Sequence, residues 1–403
     1  MDIKTVAIYS EIDSRSLHVR LADEAYCVGS ASPQQSYLNV DAILDLVKKS
    51  SAQAVHPGYG FLSENSTFAK QLQQIGIHFI GPNWKAIQAL GNKLQSKIIA
   101  KNIGIPIIPG SDEIVKNVEH CVQLARQIGY PVIIKPTAEG GGKGLRIAHN
   151  DEEVVEAFRF SIKEASVSFN EDYLLIEKFI EDSRHIELQV LCDKYGNAIY
   201  LNERECSIQR RNQKLIEEAP SPLLDGAMRD KMGQLALELV RSVGYDSAGT
   251  VEFLVDKNKN IYFLEMNTRL QVEHLVTEYI CGIDIVHQMI RIARGHLLKH
   301  KQEDVQIRGW SMESRVYAED PYINFGLPSV GRLTCYREPT HIPNVRCDSG
   351  MIEGDQISIF YDPLICKLAT YGSTRHQAIN TMKQALDNFV IRGNNKNKNV
   401  FKI

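Results

Sequence analysis

The stretch EMNTRLQVEHLVTE, residues 265–278, alternates polar and apolar side chains. Glu265, Asn267, Arg269, Gln271 and Glu273 occupy every second position. Because successive side chains of an extended strand point to opposite faces, this spacing predicts a strand with all five polar groups on one face. Such alternation is typical of a half-buried strand whose polar face meets solvent. The surrounding sequence decides whether this face also has a chemical function.

The whole chain has the composition of a folded globular protein. It has 403 residues, 43% hydrophobic and 24% charged, with a formal net charge of −3. This length predicts two or three domains, and the absence of a basic excess argues against a nucleic acid partner. No apolar run is long enough to cross a bilayer, so we expect no membrane partner. The eight cysteines include no C-x-x-C pair, which argues against a zinc site or a disulfide framework and indicates a reducing compartment.

The organisation of the chain changes twice along its length. The first region alternates short apolar runs, such as TVAIYS, AQAVH and IHFIGP, with helical patterns, YLNVDAILDLVKKS and NWKAIQALGNKLQSKIIAKNIG. That rhythm predicts an open α/β sheet. From about residue 105 hairpin patterns dominate, and from about residue 308 the chain is β-rich with many turns. The expected fold class is therefore α/β with α+β character.

A hairpin upstream of residue 268 suggests a cation site. Its strands, AGTVEFLVD and NIYFLEMN, could bring Glu252 close to Glu265 and Asn267. A few hard oxygen ligands, completed by water and phosphate, are what Mg²⁺ takes. Three acceptors in an apolar hairpin are costly to bury without a cation or hydrogen-bond donors. The alternative is a polar face in water.

The residues after this hairpin add an anion site and a base. Arg269 can hold an anion through a bidentate fork, and Glu273 can act as a general base. Lys214 supplies a further cation upstream. A metal, an anion clamp and a base in one run suggest phosphoryl transfer to a small oxyanion. His185, in the strand RHIELQV, is by itself more typical of a structural histidine than of a catalyst.

The glycine-rich loop 140-GGGKG-144 follows a strand that ends near Lys135. Glycines allow backbone N–H groups to converge on an anion, and a lysine adds a point charge. The loop lacks the Ser or Thr of a P-loop and the spacing of the dinucleotide fingerprint. A flexible turn and a phosphate clamp both remain open, and Lys135 favours the clamp.

Segments along nearly the whole chain resemble one enzyme family, the biotin carboxylase component of biotin-dependent carboxylases, which has the ATP-grasp fold. The matching segments are SYLNVDAI, HPGYGFLSEN, GYPVIIKP, GGGKG, RHIELQVL, NERECSIQRRNQK, EEAPSP, AGTVEFL, EMNTRLQVEH and ESRVYAEDP. Within the family, YAEDPYINFGLPSVGRL and DSGMIEGDQISIFYDPLICKL are most similar to the subfamily of propionyl-CoA carboxylase α subunits. The resemblance implies an α/β N-terminal domain (1–90), an ATP-grasp domain (91–295) with a mobile lid at about 132–200, and a β-rich C-terminal domain (296–403).

The resemblance also implies roles for individual residues. Glu273 is the general base, Arg269 and Lys214 bind bicarbonate, and Arg315 steadies the biotin enolate. The implied metal ligands are Glu252, Glu265 and Asn267. The implied nucleotide and substrate contacts are Lys93, Lys135, Gly140, Gly141, Gly142, Glu177, Lys178, Phe179, Ile180, His185, Gln209, Asn212, Gln271 and Val272. For His185 this role replaces the structural interpretation.

The implied activity is ATP-dependent carboxylation of biotin by bicarbonate through carboxyphosphate, the first half-reaction of an acyl-CoA carboxylase. The implied cofactors are ATP, Mg²⁺ or Mn²⁺ at two sites, and biotin as the substrate on a carrier domain outside this chain. The implied partners are that carrier domain and a carboxyltransferase β subunit, in an oligomer. The family implies the mitochondrial matrix, although the first residues, MDIKTVAIYSEIDS, show no transit peptide.

The sequence departs from the family pattern at four places. The chain lacks the first strand and helix of the family, which we expect to expose a sheet edge. After DNFVIRG it turns to NNKNKNVFKI, so the C-terminal domain is expected to be incomplete. Glu139 replaces a glycine at the mouth of the phosphate loop, where a carboxylate would weaken ATP binding. Leu275 replaces a proline after the base and is expected to loosen that turn.

Two alternatives to the biotin carboxylase hypothesis remain at this stage. One is another ATP-grasp carboxylate ligase, which would use the same nucleotide and metal scheme. The other is a non-catalytic truncated fragment or pseudoenzyme, which the short ends and Glu139 favour. Biotin-stimulated turnover separates the first alternative from the leading hypothesis.

Overall fold

The computed structural model describes residues 1–111, 113–136, 145–169, 173–320 and 328–394. The predicted glycine loop 140–144 and Glu139 lie outside these residues, so their expected roles stay predictions. Within the described residues, no helix combines the length and the apolar character needed to cross a bilayer.

The first region is an α/β layer. Its elements are β1 (Val6–Ser10), α1 (Leu17–Leu21), β2 (Glu24–Gly29), α2 (Val40–Ser50), β3 (Ala54–Val55), α3 (Ser66–Gln74), β4 (His78–Phe79) and α4 (Trp84–Leu90). The strands pair in parallel as β1 with β2 and β3 with β4. The predicted alternation of strands and helices is confirmed, although among the described residues the strands form two separate pairs.

The middle region begins with a second helix where one long helix was predicted. Its elements are α5 (Lys93–Asn102), α6 (Val118–Ile128), β5 (Val132–Pro136), β6 (Arg146–Ala148), α7 (Asp151–Phe169), β7 (Leu174–Lys178), β8 (Arg184–Cys192), β9 (Ala198–Arg210), β10 (Gln213–Ala219), α8 (Gly226–Ser242), β11 (Ser247–Val255), β12 (Ile261–Asn267), α9 (His274–Cys281) and α10 (Ile285–Ala293). The break between α4 and α5 occurs because the Asn92 side chain accepts from the Gln95 amide and starts a new helix.

The last region is β-rich, as predicted. Its elements are β13 (Trp310–Tyr317), β14 (Gly331–Arg337), β15 (Val345–Ser349), β16 (Gln356–Ile357), β17 (Leu364–Gly372), α11 (Arg375–Asn388) and β18 (Val390–Asn394).

One large antiparallel sheet joins the middle and last regions. Its strand order is β12-β11-β8-β9-β10-β13-β17-β15. Two smaller sheets have the strand orders β6-β5-β7 and β16-β14-β18. Because β10 pairs with β13, side chains from the two regions share one sheet surface. This continuity is what allows residues nearly 100 positions apart to meet, as Glu217 and Arg315 do at a separation of 98.

The main core lies between helix α8 and the strands of the large sheet. Met232, Ala236 and Leu239 of α8 pack against buried residues of β8, β9 and β11. Gly233 allows helix α8 to approach strand β9 closely, since a Cβ atom at Gly233 would lie 2.4 Å from a ring carbon of Tyr200 on β9. A glycine at this helix position is thus required by packing and not by backbone conformation.

Gly233→Ala is expected to lower the free energy of unfolding by about 1–3 kcal/mol, because the added methyl group must displace the Tyr200 ring. Urea denaturation measures the change. Gly226→Ala is the matched control at the start of the same helix, where an added Cβ meets nothing within 4 Å. Equal stability of the two variants would contradict this packing account.

The prediction of one strand that carries all five polar groups from Glu265 to Glu273 is wrong beyond Asn267. Strand β12 ends at Asn267, and helix α9 begins at His274. Between them the chain turns out of the sheet, and the Thr268 amide donates to the Glu64 carboxylate at 2.8 Å. Arg269, Gln271 and Glu273 therefore do not share one strand face with Glu265. Alternation along the sequence cannot distinguish a continued strand from a turn held by a distant carboxylate.

Candidate active site

A row of charged side chains crosses four neighbouring strands of the large sheet at one level. Glu265 on β12 is the register partner of Glu252 on β11, which is also the partner of Glu187 on β8. Glu187 in turn lies opposite Arg204 on β9. Register partners project from the same face of a sheet, so these four side chains lie side by side. The predicted proximity of Glu252 and Glu265 is confirmed.

Lys214 lies at the centre of three carboxylates. Its Nζ atom is 3.0 Å from Glu252 Oε1 and 2.7 Å from Glu273 Oε1, and it also donates to Glu187. Burial favours the neutral amine, but the three carboxylates outweigh it and raise the pKa of Lys214 well above its ordinary value. Lys214 is therefore a fixed positive charge beside the predicted base.

Glu273, the predicted base, is held between two cations. It is 1% exposed, and its Oε2 atom accepts from Arg315 Nη2 at 3.0 Å. Burial would raise the pKa of this carboxyl group, but Lys214 and then Arg315 hold it well below the usual range. Glu273 is therefore ionised, and it becomes a stronger base only when one of these cations is drawn away.

The residues predicted to bind bicarbonate lie around the same base. Arg269 donates through Nε to Glu64 Oε2 at 2.9 Å and through Nη2 to Asn267 Oδ1 at 2.9 Å. The Gln271 side chain donates to Glu252 Oε1 at 2.7 Å. The Val272 carbonyl lies 3.4 Å from Lys367 Nζ. The predicted bicarbonate-binding residues Arg269, Gln271 and Val272 thus lie in the turn between β12 and α9, and not on the predicted strand.

The chemistry of the predicted metal ligands fits a hard divalent cation. Glu252 and Glu265 are opposite each other, and the Asn267 side chain lies 2.7 Å from Glu252 Oε1. Burial would raise the pKa of Glu252, but Lys214 and His185 hold it well below its usual value, so an ionised ligand is present. Two carboxylates and an amide oxygen are the donor set that Mg²⁺ or Mn²⁺ prefers.

His185 and Gln209 lie next to this donor set. His185 Nε2 is 2.7 Å from Glu252 Oε2, and its Nδ1 is 3.2 Å from Gln209 Nε2. Burial opposes protonation of His185, but the Glu252 charge raises the pKa of the imidazole above its usual value. Both residues therefore belong to the site in space, which favours their predicted nucleotide roles over the purely structural one.

The predicted phosphate-binding lysines form a second cluster. Lys93 Nζ is 3.2 Å from Glu265 Oε2, and Lys135 Nζ is 2.6 Å from Glu177 Oε2. Glu177 also pairs with Lys97, one helical turn after Lys93 on α5. Burial, followed by the charges of Lys97 and Lys93, lowers the pKa of Lys135 well below its ordinary value. A phosphate group bound beside these lysines would favour the charged form of Lys135, so the cluster is suited to phosphate.

Other predicted nucleotide contacts are less clearly part of the site. The Lys178 ammonium donates to the backbone carbonyls of Gly129 and Tyr130, so this group stabilises the local backbone. The amides of Lys178 and Phe179 donate to the carbonyls of Pro109 and Pro131. Asn212 lies in the exposed turn between β9 and β10 with φ +61°. Ile180 follows β7 and is half-buried.

Several functional candidates were missed by the sequence reasoning. Arg204 is fully buried, and its guanidinium donates to five neighbours. Those neighbours are Glu187, Gln189, Thr250, Gln271 and Thr277. The alternation of His185, Glu187 and Gln189 along β8 could have indicated Glu187. No local signal indicates Arg204 or Glu64, because their partners are distant in the chain.

Leu275, the residue expected to loosen the turn after the base, lies within helix α9. It is the second residue of helix α9 and is fully buried. Helix α9 begins directly after Glu273, so leucine continues an ordered helical turn there. The loosening expected for leucine in place of proline stays a prediction.

Three family models match the chain along its length. Residues 1–87 match the biotin carboxylase N-terminal domain, and residues 313–402 match the biotin carboxylase C-terminal domain. Residues 92–301 match the ATP-binding domain of the carbamoyl-phosphate synthase L chain. Biotin carboxylase 1 of Bacillus subtilis (strain 168) is 49% identical over 98% of this chain and 87% of its own. The chain belongs to the biotin carboxylase family.

Solved structures of the biotin carboxylase family share the fold. One is the biotin carboxylase domain dimer of Hydrogenobacter thermophilus 2-oxoglutarate carboxylase, in complex with MgADP, ADP and bicarbonate. Its TM-score is 0.94, with 48% sequence identity, and the match covers 97% of this chain and 86% of that one. Biotin carboxylase from Campylobacter jejuni, in a β,γ-ATP complex, has a TM-score of 0.92 and 43% identity over the same shares. The predicted ATP-grasp biotin carboxylase fold, with mixed helices and a large antiparallel sheet, is confirmed.

Among curated relatives in the biotin carboxylase family, the mitochondrial propionyl-CoA carboxylase α chain of Mus musculus is 62% identical over 393 residues. That match covers 98% of this chain and 54% of the mouse protein. The chain thus spans about half the length of this curated relative.

Proposed function

We propose that this chain catalyses the biotin carboxylase half-reaction, in which bicarbonate and ATP carboxylate biotin. The observation that carries the proposal is the double engagement of Glu273 by Lys214 and Arg315. Lys214 also donates to Glu252, a predicted metal ligand on β11, and these contacts support the roles of base, cation and biotin-binding arginine for Glu273, Lys214 and Arg315. Membership of the biotin carboxylase family supports the same reaction.

The first proposed step activates bicarbonate. Arg269 and Gln271 hold the anion, and Glu273 takes its proton. The freed oxygen then attacks the γ-phosphorus of ATP, and ADP leaves, which gives carboxyphosphate. Lys93 and Lys135 offset the negative charge of the phosphates, since such transfer depends mainly on positioning and electrostatics.

The second proposed step uses the products of the first. Carboxyphosphate breaks down to CO₂ and phosphate, and the phosphate removes the N1 proton of biotin. Arg315 stabilises the enolate oxygen of biotin, and the N1 atom attacks CO₂. When Arg315 turns to biotin, Glu273 loses one of its two cations, so biotin binding strengthens the base.

We further propose that Glu252, Glu265 and Asn267 hold the divalent cations of this family. A bound Mg²⁺ or Mn²⁺ supplies charge neutralisation at the phosphate oxygens. The contribution of this chain is to keep Glu252 ionised, through Lys214 and His185, and to orient the Asn267 amide beside it.

The three-domain division at 1–90, 91–295 and 296–403, with a lid at about 132–200, is part of the same proposal. The matched family ranges support it. We also propose that the biotin is carried on a separate carrier domain and that the acyl-CoA partner is propionyl-CoA, through a carboxyltransferase β subunit. The identity to the mouse propionyl-CoA carboxylase α chain supports these assignments. The named dimer of the Hydrogenobacter domain supports an oligomer.

A mitochondrial location follows from the same relatives and is likewise a proposal. The α chains of Mus musculus and Homo sapiens are named as mitochondrial, each at 62% identity. Fractionation of source cells, with mitochondrial and cytosolic markers, tests the location of the protein directly.

The test of the proposed function is ATP hydrolysis by the purified chain with Mg²⁺, with and without bicarbonate and free biotin. We expect hydrolysis that requires bicarbonate and rises with biotin. Bicarbonate-independent hydrolysis, or hydrolysis that biotin does not change, would favour another ATP-grasp carboxylate ligase. No hydrolysis by folded protein would favour a non-catalytic fragment.

A further inference from the structure

Two buried carboxyl groups behind Arg315 have no role in the proposed reaction. Glu217 on β10 and Glu313 on β13 are direct register partners, and both are 0% exposed. Glu217 Oε1 accepts from Arg315 Nε at 2.7 Å. Among the described residues, Glu217 Oε2 and both oxygens of Glu313 have no hydrogen-bond partner. A buried carboxylate without donors is costly, so the protonation of this pair needs an explanation.

The surroundings of the pair do not supply enough positive charge for two carboxylates. The charged and titratable groups that face it are Arg315, Lys367, Glu273, Lys214, Cys206, Tyr59 and Tyr317. Lys367 Nζ lies 3.7 Å from Asp348 Oδ2, on the neighbouring strand β15, and 3.4 Å from the Val272 carbonyl. Arg315 divides its charge between Glu217 and Glu273. Lys214 is already shared among three other carboxylates.

The electrostatics agree with this geometry. Burial, offset in part by Arg315, raises the pKa of Glu217 to about 7. Burial and then the Glu217 charge raise the pKa of Glu313 well above its usual value. Two carboxyl groups that face each other in a dry environment cannot both ionise, so such a pair retains one proton. Because Glu217 bonds to Arg315 and Glu313 has no donor, the proton resides mainly on Glu313.

We propose that Glu217 and Glu313 share one proton, and that this proton keeps Arg315 mobile enough to reach biotin. The inference rests on the proposed function, since only there does Arg315 act on biotin. With the proton in place, the pair carries one negative charge, and Arg315 donates both to Glu217 and to Glu273. Without it, two buried charges attract the guanidinium and hold it in the sheet. Glu313 is therefore a positioning residue for the biotin step.

The expected consequence is an alkaline loss of biotin use. Folding favours the protonated form of the pair, so the proton is present below the pKa of the pair and passes to solvent as the pH rises through it. Above that value the kcat/KM for biotin is expected to fall about tenfold per pH unit. Bicarbonate-dependent hydrolysis without biotin does not need Arg315 to move and is expected to change less.

Glu313→Gln tests this proposal, since glutamine has the same shape, stays neutral at every pH, and can donate to Glu217 Oε2. We expect the variant to keep its kcat/KM for free biotin through the alkaline range in which the wild type loses it. Glu338→Gln makes the same chemical change at a half-buried carboxylate bonded to Ser349 and is expected to follow the wild-type profile. Identical profiles for Glu313→Gln and the wild type would overturn the proposal.

A second measurement does not depend on turnover. The infrared spectrum of the wild type at neutral pH is expected to contain the carbonyl stretch of a protonated carboxyl group that Glu313→Gln lacks, so the band appears in the difference spectrum of these two proteins. Glu338→Gln is expected to retain the band. Absence of that band from the difference spectrum would overturn the shared proton. Failure of the proposed function can be distinguished from failure of this proposal. In the first case ATP hydrolysis by the wild type shows no stimulation by biotin, while the infrared measurement still reports whether Glu217 and Glu313 share a proton.

Discussion

Glu273→Gln is expected to lower bicarbonate-dependent ATP hydrolysis by about 10²- to 10⁴-fold, the range for loss of a positioned general base. Glutamine preserves the shape of the side chain but cannot take the proton of bicarbonate. It also leaves Lys214 and Arg315 without their shared carboxylate. The rate is measured as phosphate release at saturating ATP, Mg²⁺ and bicarbonate.

The matched control for this variant is Glu278→Gln on helix α9, which begins directly after Glu273. Glu278 accepts from the Ile285 amide at 2.8 Å and from Arg346 at 3.0 Å, and it belongs to no part of the proposed machinery. We expect the control to keep its rate within about threefold, since it removes only one hydrogen-bonded charge. A Glu273→Gln rate above one tenth of the wild-type rate would argue that another group accepts the proton.

Arg204→Met is expected to have the largest effect on stability, a loss of about 3–5 kcal/mol in the free energy of unfolding. Methionine approximates the length of the side chain but removes all five donors. Glu187 would keep its contact with Lys214, whereas Gln189, Thr250 and Gln271 would face a buried apolar group. Urea denaturation followed by circular dichroism gives the change in free energy.

Arg126→Met provides the contrast for this second prediction. Arg126 pairs with Asp151 on the surface, and its side chain is 67% exposed. Exposed ion pairs contribute about 0–1 kcal/mol, so the control should unfold nearly as the wild type does. If the two arginine variants were equally stable, the buried network around Arg204 would not be the structural centre that we infer.

Local spacing was sufficient to predict part of the site. The hairpin formed by β11 and β12 has a short turn, so its register follows from the sequence, and Glu252 does meet Glu265. Lys214 and Glu273 were each identified by type and context, and the structure brings them to 2.7 Å. The resemblance to biotin carboxylases supplied roles for His185 and Arg315 that their spacing did not indicate.

The remaining parts of the site depend on contacts between distant segments. Pairing of β8 with β11 brings Glu187 to Glu252, and pairing of β10 with β13 brings Glu217 to Glu313. Because the paired residues lie far apart in the sequence, no local periodicity could have predicted these two strand registers. The predicted strand after Asn267 failed for the same reason, since the turn there is held by Glu64, 204 positions away.

The most direct test of the account is the fate of a bicarbonate oxygen. The purified chain is given ATP, Mg²⁺, biotin and bicarbonate labelled with ¹⁸O in unlabelled water, and the released phosphate is analysed by mass spectrometry. If Glu273 activates bicarbonate to attack the γ-phosphorus, each phosphate carries one labelled oxygen. Phosphate without label would show that water attacks ATP instead, and it would contradict the proposed role of the Glu273 cluster.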